Sequence, residues 1–101
     1  MDLRIEPGDD GASFRIAGDL DLATVSNLLD AVRAAGPFDG DVSIDLSELS
    51  FMDSTGLRAL VTISKDLPEG GKLIIAGASA QVRKLMTLVR ADLFDRWDVR
   101  D

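Results

Sequence analysis

The apolar residues of this chain follow two different periods in turn, and this alternation constrains the fold more than any other feature. Leu3 and Ile5 alternate with polar residues, and so do Phe14 and Ile16, which is the pattern of strands with one buried face. The segment between the two pairs, residues 7–11, reads PGDDG and is a strong turn signal. The sequence therefore predicts that the chain begins with a β-hairpin.

Three amphipathic helices are predicted after the hairpin. In the first and third, four apolar residues fall at i, i+3, i+4 and i+7, and the second, from about Thr55, repeats this spacing with a serine in the last position. Asp21 or Thr24 is expected to cap the first helix, which Gly36-Pro37 ends, and Ser79 to cap the third. The three stripes are Val25, Leu28, Leu29 and Val32; Leu57, Leu60, Val61 and Ser64; and Val82, Leu85, Met86 and Val89.

Short strands are predicted between these helices. Residues 42–46 form the first, and residues 47–53 after it are interpreted as a turn. Residues 73–76, a continuous apolar run, are expected to form a strand covered on both faces. The apolar residues Leu93, Phe94, Trp97 and Val99 close the chain, where a short edge strand is expected.

This order of elements predicts one α/β domain over residues 1–101. Its N-terminal hairpin followed by βαβαβ implies a mixed β-sheet packed with helices, in which right-handed crossovers join the parallel strands. A chain of 101 residues has room for one such domain and no more.

Composition excludes several function classes. The chain has no cysteine and no histidine, so disulfides, zinc ribbons and thiol catalysis are excluded, and the commonest general base and metal ligand are missing. No apolar run approaches the roughly 18 residues of a membrane span. Residues 1–10 carry four acids and one arginine, unlike a signal peptide, so we expect a cytoplasmic protein. Nothing in the sequence resembles a phosphate-cradling P-loop, and no cofactor is expected.

The charge of the chain is strongly uneven. Its formal net charge is -7, and residues 1–53 hold 12 acids against 3 bases. Such a surface is unsuited to nucleic acid or to anionic membranes. A basic protein surface as partner, or a face that is simply solvated, both remain open.

Two polar loops are predicted at the carboxyl ends of parallel strands, where sites form in open α/β sheets. One reads Gly18-Asp19-Leu20-Asp21 and the other Asp53-Ser54-Thr55-Gly56, and we expect them to lie close together. Ser54 is at the position expected for the cap of the second helix. Either this is an ordinary helix start, or Ser54 is an exposed hydroxyl available to a kinase; likewise Asp19 and Asp21 are either helix caps or part of a site.

Enzymatic interpretations of these loops fail. Asp19-Leu20-Asp21 resembles the D-x-D start of aspartyl-phosphate phosphatases, but the chain is too short for the rest of such an enzyme. The loop at Asp53 has one residue too many for the D-[ST]-G of aspartic proteases. A receiver domain would need an acid pair after its first strand, whereas Asp9-Asp10 lies in the hairpin turn.

One longer segment resembles a known family. Residues 45–57, DLSELSFMDSTGL, closely resemble the signature of STAS domains, the sulfate transporter and anti-sigma factor antagonist family. Gly18-Asp19-Leu20-Asp21 is similar to the G-[ED]-L-D element of that family, and residues 70–73 and 82–85 also match. The resemblance covers nearly the whole chain.

The resemblance implies a partner switch. Stand-alone STAS domains are typically bacterial anti-sigma factor antagonists, which bind an anti-sigma factor that is also a serine kinase and so release a sigma factor. Phosphorylation of the serine after the signature aspartate stops binding, and a PP2C-type phosphatase reverses it. Carried onto this chain, the phosphorylated residue is Ser54, Thr55 is a secondary candidate and Asp21 assists the kinase interaction. The implied partner-binding residues are Asp19, Asp21, Asp53, Ser54, Thr55 and Gly56.

The resemblance leaves an alternative, a STAS subunit that docks on the ATPase of a membrane transport complex without a phosphorylation cycle. This chain also departs from the family. Many members continue with another helix after the last strand, so a face left open here would permit a homodimer, and Arg90-Ala91 replaces a common glycine. Phe51 is expected to anchor the core beneath the Asp53 loop, whereas Trp97 fits either the core or a partial lid.

Overall fold

A computed structural model describes residues 2–88 and 96–100 of the chain. It contains strands β1 (Leu3–Pro7), β2 (Ser13–Leu20), β3 (Val42–Met52), β4 (Leu73–Ala76) and β5 (Trp97–Arg100). The helices are α1 (Val25–Ala35), α2 (Ser54–Lys65) and α3 (Ala80–Leu88). Val89, Arg90-Ala91, Leu93 and Phe94, which the sequence analysis names, lie outside the described residues.

The five strands form one sheet in the order β1-β2-β3-β4-β5. β1 and β2 pair antiparallel as the predicted hairpin, with Ile5 opposite Ile16, and the other neighbours are parallel. The predicted mixed sheet, with βαβ crossovers following the hairpin, is therefore confirmed. β5 is the expected edge strand, and Trp97 packs partly buried against the core.

The order of the strands explains why the three described helices lie on the same face of the sheet. Each crossover steps one strand further in the same direction, so right-handed connections bring all their helices to one side. The core lies there, between the helices and inward residues such as Ile16, Ile44 and Ile75. The expectation that β4 is covered on both faces is wrong, because Ile74 and Ala76 point to the other face and remain partly exposed.

That other face, which we call the open face, carries polar side chains. Arg15 and Asp45 are register partners on β2 and β3 and form an ion pair of 3.5 Å there. Ser43 lies on the same strand as Asp45, two residues before it, and is half-buried. None of the three described helices packs on this face, where the polar side chains lie beside the partly exposed Ile74 and Ala76.

β3 is longer than the sequence analysis predicts. Residues 47–52, interpreted as a turn, continue the strand and pair with residues 17–20 of β2. The register shifts twice along this pairing, so Leu46, Leu49 and Met52 are buried at intervals of three residues instead of two. The alternation that identifies a strand is lost there, which explains the error.

The ends of the helices agree with most predictions. α1 begins after Thr24 and ends before Gly36, and the peptide bond from Gly36 to Pro37 is cis. Ser79 caps α3, since its hydroxyl accepts the N–H of Val82 at 3.3 Å. None of the helices in the described part of the chain has the length and apolar character needed to span a membrane.

Candidate functional site

The two predicted loops meet at the carboxyl edge of the sheet. Leu20 and Met52, the last residues of β2 and β3, are register partners. One residue further on, the N–H of Asp53 donates to the carbonyl oxygen of Leu20 at 3.3 Å. The expected proximity of the loops is therefore present in the backbone.

Gly56 makes this close approach possible. A Cβ atom at this position would lie 2.6 Å from the carbonyl oxygen of Leu20 and 2.9 Å from Cγ of Met52. Contacts under about 3 Å do not occur for real Cβ atoms, so a side chain would force α2 away from the strands. Gly56 thus sets the distance between the first turn of α2 and the sheet edge.

Asp53, not Ser54, caps α2. Asp53 has the extended backbone of an N-cap residue, and its carboxylate accepts the N–H of Gly56 at 3.0 Å. The hydroxyl of Thr55 donates to the same carboxylate oxygen. The expectation that Ser54 is the cap is wrong by one residue, because β3 continues through Met52 and the helical turn starts at Ser54 itself.

These hydrogen bonds set the charge state of Asp53. Partial burial alone would raise the pKa of its carboxyl, but the Thr55 hydroxyl and the backbone N–H of Gly56 stabilise the carboxylate and outweigh burial. The pKa of Asp53 is consequently lowered from the usual 3.8. A permanent negative charge therefore lies next to Ser54 at neutral pH.

Ser54 is exposed as the first residue of α2. Among the described residues, none makes a hydrogen bond to its hydroxyl, whereas the hydroxyl of the neighbouring Thr55 is half-buried and bound to Asp53. The two adjacent hydroxyls therefore differ in exposure and in hydrogen bonding. Only that of Ser54 is presented outward and unengaged.

The loop between β2 and α1 is held by its own hydrogen bonds. The hydroxyl of Thr24 donates to the carbonyl oxygen of Asp19 at 2.8 Å and accepts the N–H of Asp21 at 3.0 Å. The carboxylate of Asp21 accepts the N–H of Ala23 at 3.0 Å. Thr24 occupies the N-cap position of α1, although its side chain makes no capping bond.

The predicted site residues divide by exposure. Asp21, Asp53, Ser54 and Thr55 are exposed or half-buried at this edge, whereas Gly56 is buried and Asp19 is only 5% exposed. Phe51, expected in the core, is 44% exposed, and Met52 is buried in its place. Met52 is the residue paired with the buried Leu20, so the register turns Phe51 outward.

Two features of the site lack a sequence signal. Nε2 of Gln81, at the start of α3, donates to the carbonyl oxygen of Met52 at 2.8 Å. Leu22, directly after Asp21, is 76% exposed and lines a shallow apolar groove between α1 and α2. Thr55 and Arg58 line the same groove, which therefore begins beside Ser54.

The fold and the site together define a small α/β domain that presents a hydroxyl, carboxylates and an apolar groove on one surface. Such a surface suits docking of another protein. The sequence profile of the STAS domain matches residues 2–100, so the chain belongs to the STAS domain family.

Individual relatives agree with this assignment. An anti-sigma-B factor antagonist of Staphylococcus epidermidis is 36% identical over 94 residues, which span 87% of this chain and 85% of the relative. The structure of the unphosphorylated anti-sigma factor antagonist SpoIIAA superimposes with a TM-score of 0.73 at 22% identity, over 97% of this chain and 87% of that one. An anti-sigma factor antagonist from Mycobacterium paratuberculosis gives a TM-score of 0.73 at 23% identity, over 96% and 84%.

Proposed function

We propose that this chain is an anti-sigma factor antagonist whose docking is switched off by phosphorylation of Ser54. The observation that carries the proposal is the state of the Ser54 hydroxyl, which is exposed and unengaged at the start of α2. The name of the Staphylococcus epidermidis relative supports the class of function. In this proposal the chain is a cytoplasmic binding protein and a kinase substrate, not an enzyme.

The partner is an anti-sigma factor that is also a serine kinase, and a PP2C-type phosphatase restores the unmodified form. ATP is bound by the kinase, not by this chain. The contact surface consists of Asp21, Asp53, Ser54 and Thr55. Asp19 and Gly56 are buried beneath it and hold its backbone in position. Asp19 does so through its carbonyl oxygen, which accepts the Thr24 hydroxyl.

The site allows phosphorylation without unfolding. A phosphate adds about -1.5 to -2 charges, and Ser54 is exposed, so this group stays in solvent. The cap of α2 is the side chain of Asp53, so modification of Ser54 removes no capping hydrogen bond. The modification therefore changes the surface charge beside Asp53, and an interface that buries this position has to desolvate the added charge.

The choice of Ser54 over Thr55 follows from their hydrogen bonds. To act as a nucleophile, Thr55 would have to give up its bond to Asp53 and leave a half-buried position. Ser54 has neither cost. We therefore expect a single phosphate on Ser54.

Incubation with the anti-sigma kinase and ATP, followed by mass spectrometry, tests the site. One phosphate should be added to the unaltered chain and to Thr55→Val, the matched control, and none to Ser54→Ala. Modification of Ser54→Ala, or of no residue in any variant, would contradict the proposal.

Binding is tested by calorimetric titration of the same anti-sigma factor. Ser54→Asp should weaken docking by more than about tenfold, or roughly 1.4 kcal/mol. Ser54→Ala should bind much more tightly than Ser54→Asp, because it adds no charge to the contact surface and removes no hydrogen bond within the chain. Equal affinity of Ser54→Asp and Ser54→Ala would show that charge at this position does not control docking.

A further inference from the structure

We propose that Arg58 is an intramolecular clamp for the phosphate of phosphorylated Ser54. The inference rests on the proposed phosphorylation and describes how the chain itself responds to it. The phosphate and the Arg58 guanidinium would form an ion pair on the surface of α2. Phosphorylation would then add a negative group at Ser54 and also engage the positive charge of Arg58, which has no ion-pair partner among the described residues before modification.

The positions of the two residues on α2 suit this pair. Ser54 is the first helical residue, Arg58 follows four residues later, and both are exposed. Residues i and i+4 lie on one face of a helix, about 6 Å apart along its axis. Long helical side chains lean toward the N-terminus, so from this position an arginine side chain can reach the turn that begins with Ser54. An anion N-terminal to its cation is also the more favourable order.

Arg58 is available for such a pair. In the described part of the chain, no carboxylate and no carbonyl accepts a hydrogen bond from its guanidinium. The side-chain hydrogen bond at this residue goes from the Thr62 hydroxyl to the backbone carbonyl oxygen of Arg58 at 3.1 Å and leaves the guanidinium available. Arg15 and Arg100, in contrast, already pair with Asp45 and Asp98. A guanidinium binds phosphate through two parallel hydrogen bonds. Neither Asp53 nor Asp21 forms an ion pair with the Arg58 guanidinium, so its N–H groups are available to the phosphate.

The clamp would change the surface beyond Ser54. Arg58 lines the groove between α1 and α2 together with Leu22, Val25 and Ala59. Once drawn to the phosphate, its guanidinium no longer serves as a donor for a protein seated in that groove. One modification would thus alter both the charge at the start of α2 and the recognition groups beside it.

The clamp can be tested without a kinase, by genetic encoding of phosphoserine at position 54. The second pKa of the phosphate, normally near 6, is then measured by ³¹P NMR titration in the unaltered background and in Arg58→Gln. Loss of the cation destabilises the dianion, so the phosphate pKa should rise by about 0.2–0.4 unit in Arg58→Gln. Lys65→Gln is the matched control, since it removes one positive charge from the same helix about 16 Å away, beyond the screening length at physiological salt.

A shift in Arg58→Gln that is absent from Lys65→Gln supports the clamp. Equal phosphate pKa values in the unaltered chain and Arg58→Gln, or equal shifts in both variants, would overturn it. Because the phosphate is encoded, this result does not depend on whether a kinase modifies Ser54. If the titration shows the pair but the kinase does not modify Ser54, only the proposed function fails. If the kinase modifies Ser54 but the titration shows no shift, only the Arg58 clamp fails.

Discussion

The side chain of Gln81 on α3 donates a hydrogen bond of 2.8 Å to the carbonyl oxygen of Met52, the last residue of β3. β4 pairs with β3 only as far as Asp45, so no strand is available at Met52 on that side. Gln81 supplies the missing donor. The residue immediately before Asp53 is therefore fixed on one side by α3, while Asp53 itself is bound to Leu20 on the other.

Removal of this hydrogen bond should loosen the site more than the fold. Gln81→Leu leaves the Met52 carbonyl without its donor, and we expect a loss of about 0.5–1.5 kcal/mol in the free energy of unfolding. Amide hydrogen exchange of residues 53–56 should accelerate more than that of β2. Lys84→Leu, an exposed position on the same helix, is the control; if it accelerates exchange equally, the effect does not come from the hydrogen bond.

Gly56→Ala should destabilise the chain although alanine is the better helix former. The new Cβ would lie 2.6 Å from the Leu20 carbonyl oxygen, and such overpacking costs about 1–3 kcal/mol, against a propensity gain of up to about 1 kcal/mol. Urea denaturation measures the net loss. Gly40→Ala, where nothing lies within 4 Å of the added atom, should change stability little. A stabilised Gly56→Ala protein would disprove the close contact.

The pH dependence of stability should report the charge of Asp53. Because its pKa is lowered in the folded state from the usual 3.8, Asp53 contributes stability that is fully present above that unfolded value and is lost as pH falls through the lower folded value. Asp53→Asn keeps a capping side chain but has no charge to titrate. Its free energy of unfolding should therefore fall less steeply than that of the unaltered chain below about pH 4.

Asp53→Ala provides the neutral-pH counterpart of this experiment. It removes the cap altogether and should cost about 1 kcal/mol at pH 7 in urea denaturation. Asp53→Asn should cost clearly less at the same pH. Equal losses in the two variants would mean that charge, and not the capping bond to Gly56, is what stabilises the start of α2.

The open face should contribute little to stability. Arg15→Gln breaks the ion pair with Asp45, both partners of which are partly solvent-exposed, and we expect a change below about 1 kcal/mol. Ile16→Ala, the adjacent and fully buried position, should cost about 2–5 kcal/mol. Thermal denaturation of both variants tests the pair, and a large loss in Arg15→Gln would mean that the open face is packed in solution.

Local patterns predict the parts of this fold that local forces determine. The hairpin of β1 and β2 and the apolar stripes of α1 and α2 follow from periods visible within a few residues. The proximity of the loops at Asp21 and Asp53 follows from the general geometry of parallel sheets.

What the sequence does not predict depends on distant partners. The second half of β3 is a strand because it pairs with β2, and two register shifts hide its alternation. The same shifts decide that Met52 is buried and Phe51 is not. The hydrogen bond from Gln81 to the Met52 carbonyl joins residues 29 positions apart, so no local sequence pattern predicts it.

The open face lies on the side of the sheet opposite the helices, so it can be labelled without touching the groove between α1 and α2. Ser43 lies on the open face, and the chain contains no cysteine, so Ser43→Cys would offer a unique thiol for a fluorophore or a surface linker. A probe attached there stands across the sheet from the groove between α1 and α2. Binding and modification at Ser54 could then be followed on immobilised protein while that groove stays free.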